Sequence, residues 1–230
     1  MQILSSLRND PNQILLILLS FLLMIPALVL HELAHGWVAY KLGDTTAKRA
    51  GRLTLNPLKH IDLLGTIIVP LLLFIASNGL FAFGYAKPVP INPNNFRERK
   101  KGILLTGIAG PAMNIALAII AAALCQGLRL VMTLIAAPVG LQWAFMLIQH
   151  FVFINLMFAF FNIIPIPPLD GSRVLQYFLP RSALHFYSML ERFGFFIIIA
   201  IMWLTPLITW YFQYTVIPLT QVLTGYPLIL

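Results

Sequence analysis

Five stretches of this chain are apolar enough to enter a bilayer: Ile14–Tyr40, Leu63–Phe83, Ile103–Leu124, Trp143–Ile164 and Leu184–Tyr214. A helix needs about 20 such residues to cross roughly 30 Å of hydrocarbon, and lipid forces every spanning backbone group to find its partner within the protein. The expected class is therefore all-α, a polytopic transmembrane helix bundle with about five to six membrane segments. Composition agrees: of 230 residues, 60% are hydrophobic and 10% charged, with mean hydropathy +0.88, which excludes an ordinary soluble domain. One domain is expected over 1–230, with a core at about 14–180 and C-terminal helices at about 184–230. The last run is long and interrupted by Pro206, so it reads as one span plus an interfacial piece, or as two spans reaching towards Leu230. A single cysteine, Cys125, rules out a disulfide framework.

The net charge of +8 would point to nucleic acid in a soluble protein. Here the basic residues sit in short loops between apolar runs, where the tendency of cytoplasmic loops to be positive explains them, and no nucleic-acid partner is expected. The charges also bear on topology. Lys41, Lys48, Arg49, Arg52 and Lys59 mark the loop after the first run as cytoplasmic, and Lys87, Arg97, Arg99, Lys100 and Lys101 do the same after the second. A single crossing by Leu63–Phe83 would put one loop on the wrong side, so a re-entrant element is expected there, with Pro70 and Asn78-Gly79 supplying bends. The alternative is a plain span that violates the charge rule.

Within the first run, His31-Glu32-Leu33-Ala34-His35 reads H-E-x-x-H. On a helix, residues i and i+4 share a face, so the two imidazoles can grip one metal ion, with Glu32 beside it to take a proton from water. A glutamate between two histidines inside a membrane span is costly and usually marks function. The same motif argues against a cleavable signal, since cleavage would remove the site. Both histidines lie about 8 to 14 Å from the end of the run at 1.5 Å per residue.

A catalytic zinc takes three protein ligands and leaves a fourth position open. Asp10, Asp44, Glu98 and Glu191 lie in polar stretches expected to be solvated, and Asp62 borders a loop. Asp170, directly after an apolar helix in Asn162-Ile-Ile-Pro-Ile-Pro-Pro-Leu-Asp170-Gly171, is the natural third ligand; its plain alternative is a turn aspartate before glycine.

Together, His31–Gly36 (H-E-L-A-H-G), Gly110–Asn114 (G-P-A-M-N) and Asn162–Gly171 (N-x-x-P-x-P-P-L-D-G) resemble the site-2 protease family of intramembrane zinc metalloproteases. Gly51-Arg-Leu-Thr-Leu-Asn-Pro57 and Gly84-Tyr-Ala-Lys-Pro-Val-Pro90 resemble its compact bacterial branch, without a PDZ domain. The resemblance covers about residues 14–180. It implies one catalytic Zn2+ held by His31, His35 and Asp170, with Glu32 as catalytic glutamate and Asn162 near the active site. It also implies transmembrane protein substrates and a place in a bacterial cytoplasmic membrane, with the site towards the cytoplasm.

The tetrahedral intermediate of peptide hydrolysis needs a hydrogen-bond donor, and Asn162 is a candidate, as is Asn114. For Asn114 an ordinary interhelical hydrogen bond is the stronger alternative. Pro88 and Pro90 keep the Lys87-Pro88-Val89 segment extended, so it is a candidate edge for an unwound substrate; a proline-stiffened loop is the plain alternative. His60 and Asp62 resemble a metal pair but read better as loop capping, Gly107 and Gly110 as helix packing, and Arg173 as a headgroup contact. The competing class is a non-enzymatic metal-binding membrane protein, a carrier or scaffold. Transport would want polar groups along a whole transmembrane path, whereas this chain gathers them at one end.

Overall fold

A computed structural model describes residues 11–62, 65, 68, 71–72, 87–135 and 138–228. Every extended element among them is helical: α1 Pro11–Lys41, α2 Thr46–Arg49, α3 Arg99–Leu134, α4 Val139–Asn162, α5 Asp170–Phe178, α6 Arg181–Leu204, α7 Leu207–Tyr214 and α8 Val216–Thr224. Two short 3-10 turns, Pro57–Lys59 and Pro93–Asn95, punctuate the loops. Prolines set several of these boundaries. Pro138, Pro180 and Pro206 stand immediately before α4, α6 and α7, where a ring that cannot continue the preceding helix does no harm. Pro26 and Pro111 lie inside α1 and α3 without ending them.

Three helices are long and apolar enough to cross a membrane: Leu18–Lys41 of α1, α3 and α4. A fourth crossing is available if Met189–Leu204 and Leu207–Thr224, bent by 78° at the Pro206 break, act as one broken span. The polytopic bundle is thus found, with three to four spans among the described residues. The expected re-entrant element at 63–83 lies outside the described residues except for Gly65, Ile68, Leu71 and Leu72. The described segments on either side of it are joined, because Lys87 N–H donates to His60 C=O at 2.9 Å and Arg97 N–H donates to Leu42 C=O at 3.2 Å. Both basic loops therefore lie at one end of the bundle, the end where α1 finishes and α3 begins.

α3 is the central element, packing on α1, α4 and α5. Small residues allow this closeness. Ala118, Ala121 and Ala122 of α3 meet Val152 and Leu156 of α4 and Val216 of α8 in the main apolar cluster, and Ala27 of α1 meets Ile154 and Phe158 of α4 in a second. The outward faces carry the large apolar side chains, among them Leu22, Ile119, Ile120, Leu124 and Phe196. In water that pattern would be a liability, and in lipid it is the expected one.

Candidate active site

His31 and His35 lie on the inner face of α1, ten and six residues before its end, which puts them roughly 15 and 9 Å from that end. Asp170 opens α5, after a turn through Pro165, Pro167 and Pro168 that brings the chain back from α4. His31 Nε2 and His35 Nε2 are 3.0 Å apart, and Asp170 Oδ2 lies 3.1 Å from each. All three side chains are buried, and among the described residues they form the cluster able to hold a metal. Two helices more than 130 positions apart in sequence thus meet at one point.

The far side of each imidazole decides what that point can bind. His35 Nδ1 lies 2.6 Å from the Thr106 carbonyl, which can only accept, so Nδ1 carries the proton and Nε2 offers a lone pair. For His31 two amides set the tautomer. Asn155 Nδ2 donates to the Phe151 carbonyl at 2.8 Å, which leaves its Oδ1 as an acceptor. Asn114 Nδ2 donates to that Oδ1 at 2.9 Å and to the Ala27 carbonyl at 3.3 Å. Asn114 Oδ1 must then accept from His31 Nδ1–H, at 2.5 Å, and His31 Nε2 also presents a lone pair.

Two imidazole lone pairs and a carboxylate oxygen therefore crowd together with no proton between them, an arrangement that calls for a cation. A tetrahedral zinc with bonds of about 2.0–2.1 Å spaces its ligand atoms roughly 3.3 Å apart, close to the spacing here. The donor set, two nitrogens and one oxygen with a side left over, suits a catalytic zinc.

Glycine supplies the room. A side chain at Gly110 of α3 would collide with His35 Nε2 and with both Cε1 and Nε2 of His31, so α3 forms the floor of the site by having no side chain there. Gly107 similarly faces the Asp170 carbonyl, and a Cβ would stand 3.1 Å from it. These two glycines do more than the helix packing expected of them.

Glu32 is half-buried on the neighbouring face, and its Oε2 accepts from Val89 N–H at 2.9 Å. This brings the extended 87–90 segment onto the glutamate. Lys87 has both main-chain groups engaged, its N–H by His60 and its carbonyl by Arg52 Nη2 at 2.6 Å. Asn162, the last residue of α4, is half-buried and turns its Nδ2 back to the Phe158 carbonyl at 3.0 Å. Asn114 has no exposed surface and stands behind His31, facing α1 and α4. Arg173, expected to reach for headgroups, places Nη1 3.9 Å from Asp170 Oδ1. His60 is buried and pairs Nε2 with the Thr54 carbonyl at 2.9 Å, as a loop cap would.

Asp44 departs from expectation. It is not solvated but has no exposed surface, and it accepts from Thr46 N–H, Thr46 Oγ1–H, Asn92 N–H and Asn95 Nδ2–H. Burial would raise its pKa, and these hydrogen bonds outweigh that, holding the carboxyl below its ordinary value of 3.8. Asn155 is the other residue the sequence did not single out; the available signal was an amide inside an apolar run, which in lipid rarely goes unpartnered.

Residues 18–204 match the family model described as Peptidase family M50. The chain belongs to that family. It is 38% identical over 189 residues to a Bacillus subtilis (strain 168) protein named as a zinc metalloprotease, YwhC, covering 80% of this chain and 79% of the relative. It is 28% identical over 205 residues to the Mycolicibacterium smegmatis protein Rip2, also named as a zinc metalloprotease, covering 82% and 71%. The Rip2 protein of Mycobacterium tuberculosis (strain H37Rv) is 29% identical over 187 residues, covering 81% and 67%. No solved structure matches the chain. The M50 protein is accordingly an integral membrane, zinc-dependent peptidase, as its site-2 protease resemblance implies.

Proposed function

We propose that this M50 peptidase is an intramembrane endopeptidase that cuts bonds in or beside the transmembrane segments of other membrane proteins. The observation that carries this reading is the location of the three ligand side chains. Two project from a membrane-crossing helix, more than one turn inside its end, and the third opens the helix that follows another crossing. A site at that depth is placed for a substrate that enters the bundle from the bilayer or its edge. The clustered positive loops at that end support a cytoplasmic-facing site in a bacterial cytoplasmic membrane.

His31, His35 and Asp170 are assigned as the zinc ligands. Bound there, zinc would acidify water and polarise the scissile carbonyl. Glu32 takes a proton from the attacking water as its oxygen bonds to the carbonyl carbon, then returns that proton to the amide nitrogen as the C–N bond breaks, so the carboxylate is regenerated. Asn162 is the candidate oxyanion donor; one N–H of its Nδ2 is held by the Phe158 carbonyl, and the second is the one that would donate. Asn114 is assigned as the support for His31 rather than as a substrate contact. Lys87, Pro88 and Val89 remain the candidate substrate edge, in a restricted form. Pro88 has no N–H and those of Lys87 and Val89 are engaged, so among these three residues the backbone offers a substrate carbonyl acceptors and no N–H donor.

Glu32→Gln tests the reading in purified, zinc-loaded protein given a synthetic single-span peptide with a fluorophore and quencher flanking its apolar segment. Zinc should stay bound while cleavage falls by about 10²–10⁴-fold, the usual worth of a general acid–base group. Undiminished cleavage would sink the mechanism.

A further inference from the structure

Across Pro88-Val89-Pro90 the chain has one backbone donor, since proline has no N–H, and that donor is aimed at Glu32 Oε2 from 2.9 Å. The register of the tripeptide is fixed on both sides. Upstream, His60 and Arg52 hold the two main-chain groups of Lys87 at 2.9 and 2.6 Å. Downstream, Asp44 Oδ2 accepts from Asn92 N–H at 2.7 Å and Oδ1 from Asn95 Nδ2 at 2.8 Å. Asp44 itself stands just past the end of α1, so one buried carboxylate ties this segment to the helix that carries Glu32. The Val89 side chain is buried against α1 at Gly36, where an added Cβ would come within 2.9 Å of Val89 Cγ1. Both residues that precede a proline, Lys87 and Val89, are biased to extended backbone by the ring that follows.

We propose that Pro88-Val89-Pro90 is an orienting strap for the catalytic base, with Asp44 the positioning residue that sets its register. The Val89 amide holds one oxygen of Glu32, leaving the other to face the reacting water. A glutamate has three side-chain torsions, and a charge-assisted bond from a rigid backbone removes the freedom that would otherwise misplace the accepting oxygen. The flanking prolines keep competing donors away and stiffen the backbone that delivers the amide. This inference rests on Glu32 acting as the base.

Hydrogen exchange of the purified, zinc-loaded protein reads the strap directly, because in a fragment covering residues 87–90 the prolines have no amide hydrogen and Lys87 becomes the amino terminus, which leaves the Val89 amide alone. Exchange at Val89 should speed up about tenfold or more in Glu32→Ala and in Asp44→Ala, the loss expected for a hydrogen bond to a charged group. It should stay within about threefold of wild type in Glu32→Gln, which keeps an acceptor oxygen for the Val89 N–H. With the single-span peptide, Asp44→Ala should lower kcat about tenfold with KM within roughly twofold, and Asp44→Asn, which keeps an acceptor for only one of the two sets of donors, should recover only part of the loss. Unchanged Val89 protection in Glu32→Ala would overturn the strap, as would an Asp44→Ala defect confined to KM. The exchange arm needs no cleavage, so if the wild-type protein left the peptide intact the base assignment would fail while the strap was still judged.

Discussion

The two ends of the α3–α4 pair are built from the same kind of contact and put it to different uses. At the far end, Ala118, Ala121 and Ala122 let α4 and α8 close over an apolar seam. At the near end, Gly107 and Gly110 let α3 approach two histidines and an aspartate. In lipid the seam gains little from excluding water, since the surroundings are as apolar as the side chains, so both ends depend on fit. What separates them is the polar wiring. Each ligand imidazole at the near end is held from behind by a bond rooted in a backbone carbonyl, whereas the hydrogen bonds beside the seam, Gln126 Nε2 to the Leu223 carbonyl and Gln149 Nε2 to Thr224 Oγ1, only tie α8 to its neighbours. Small residues thus set how closely helices approach, and the hydrogen bonds decide whether the approach makes a core or a metal site.

The largest effect should come from filling the near end. Gly110→Ala drives a methyl into both imidazoles, and overpacking of about 1–3 kcal/mol translates into roughly 5- to 150-fold weaker zinc binding, measured by competition with a chelating dye. Cutting the wiring should do less. Asn155→Leu leaves Asn114 with the weaker of its two acceptors, and zinc affinity should fall about tenfold, within the range seen when outer partners of metal ligands are removed. An effect below twofold would mean that His31 holds its orientation without the relay. The seam supplies the contrast: Ala118→Val, at a position with no exposed surface, should destabilise the protein by about 1–3 kcal/mol in a detergent melt yet leave zinc affinity unchanged. Loss of zinc there would erase the distinction between the ends.

The smallest effect concerns Asp44 and pH. Its native pKa is lowered from 3.8, so its stabilisation is present above about pH 4 and drains away as pH falls through the lower native value. Wild type should lose more thermal stability between pH 5 and pH 3 than Asp44→Asn; parallel losses would show that the carboxylate contributes nothing as an ion.

Much of this arrangement could be read from the sequence, because apolar runs and the H-E-x-x-H spacing are local signals. Ile14–Tyr40 and Trp143–Ile164 anticipate α1 and α4 to within a few residues. Ile103–Leu124 underestimates α3, which carries its helix through Arg99–Gly102 at one end and Cys125–Leu134 at the other, since helicity continues where hydropathy does not. The three ligand candidates meet in space as their residue types suggested. What escaped were properties created by distant neighbours. Whether Asp44 is solvated depends on Asn92 and Asn95, about 50 positions away, and nothing around it in sequence distinguishes it from a surface aspartate. Asn155 acquires its role only because α3 brings Asn114 to it. Gly110 looks like any small residue in a membrane helix until the imidazoles lie against it.

One zinc ion is expected where α1 and α5 converge over α3. An anomalous difference map at the zinc edge, from crystals of the protein in a lipidic phase, would locate it. It should show a single strong peak within the triangle of His31 Nε2, His35 Nε2 and Asp170 Oδ2. A map with no peak there, or with its peak at His60 and Asp62 instead, would contradict that placement.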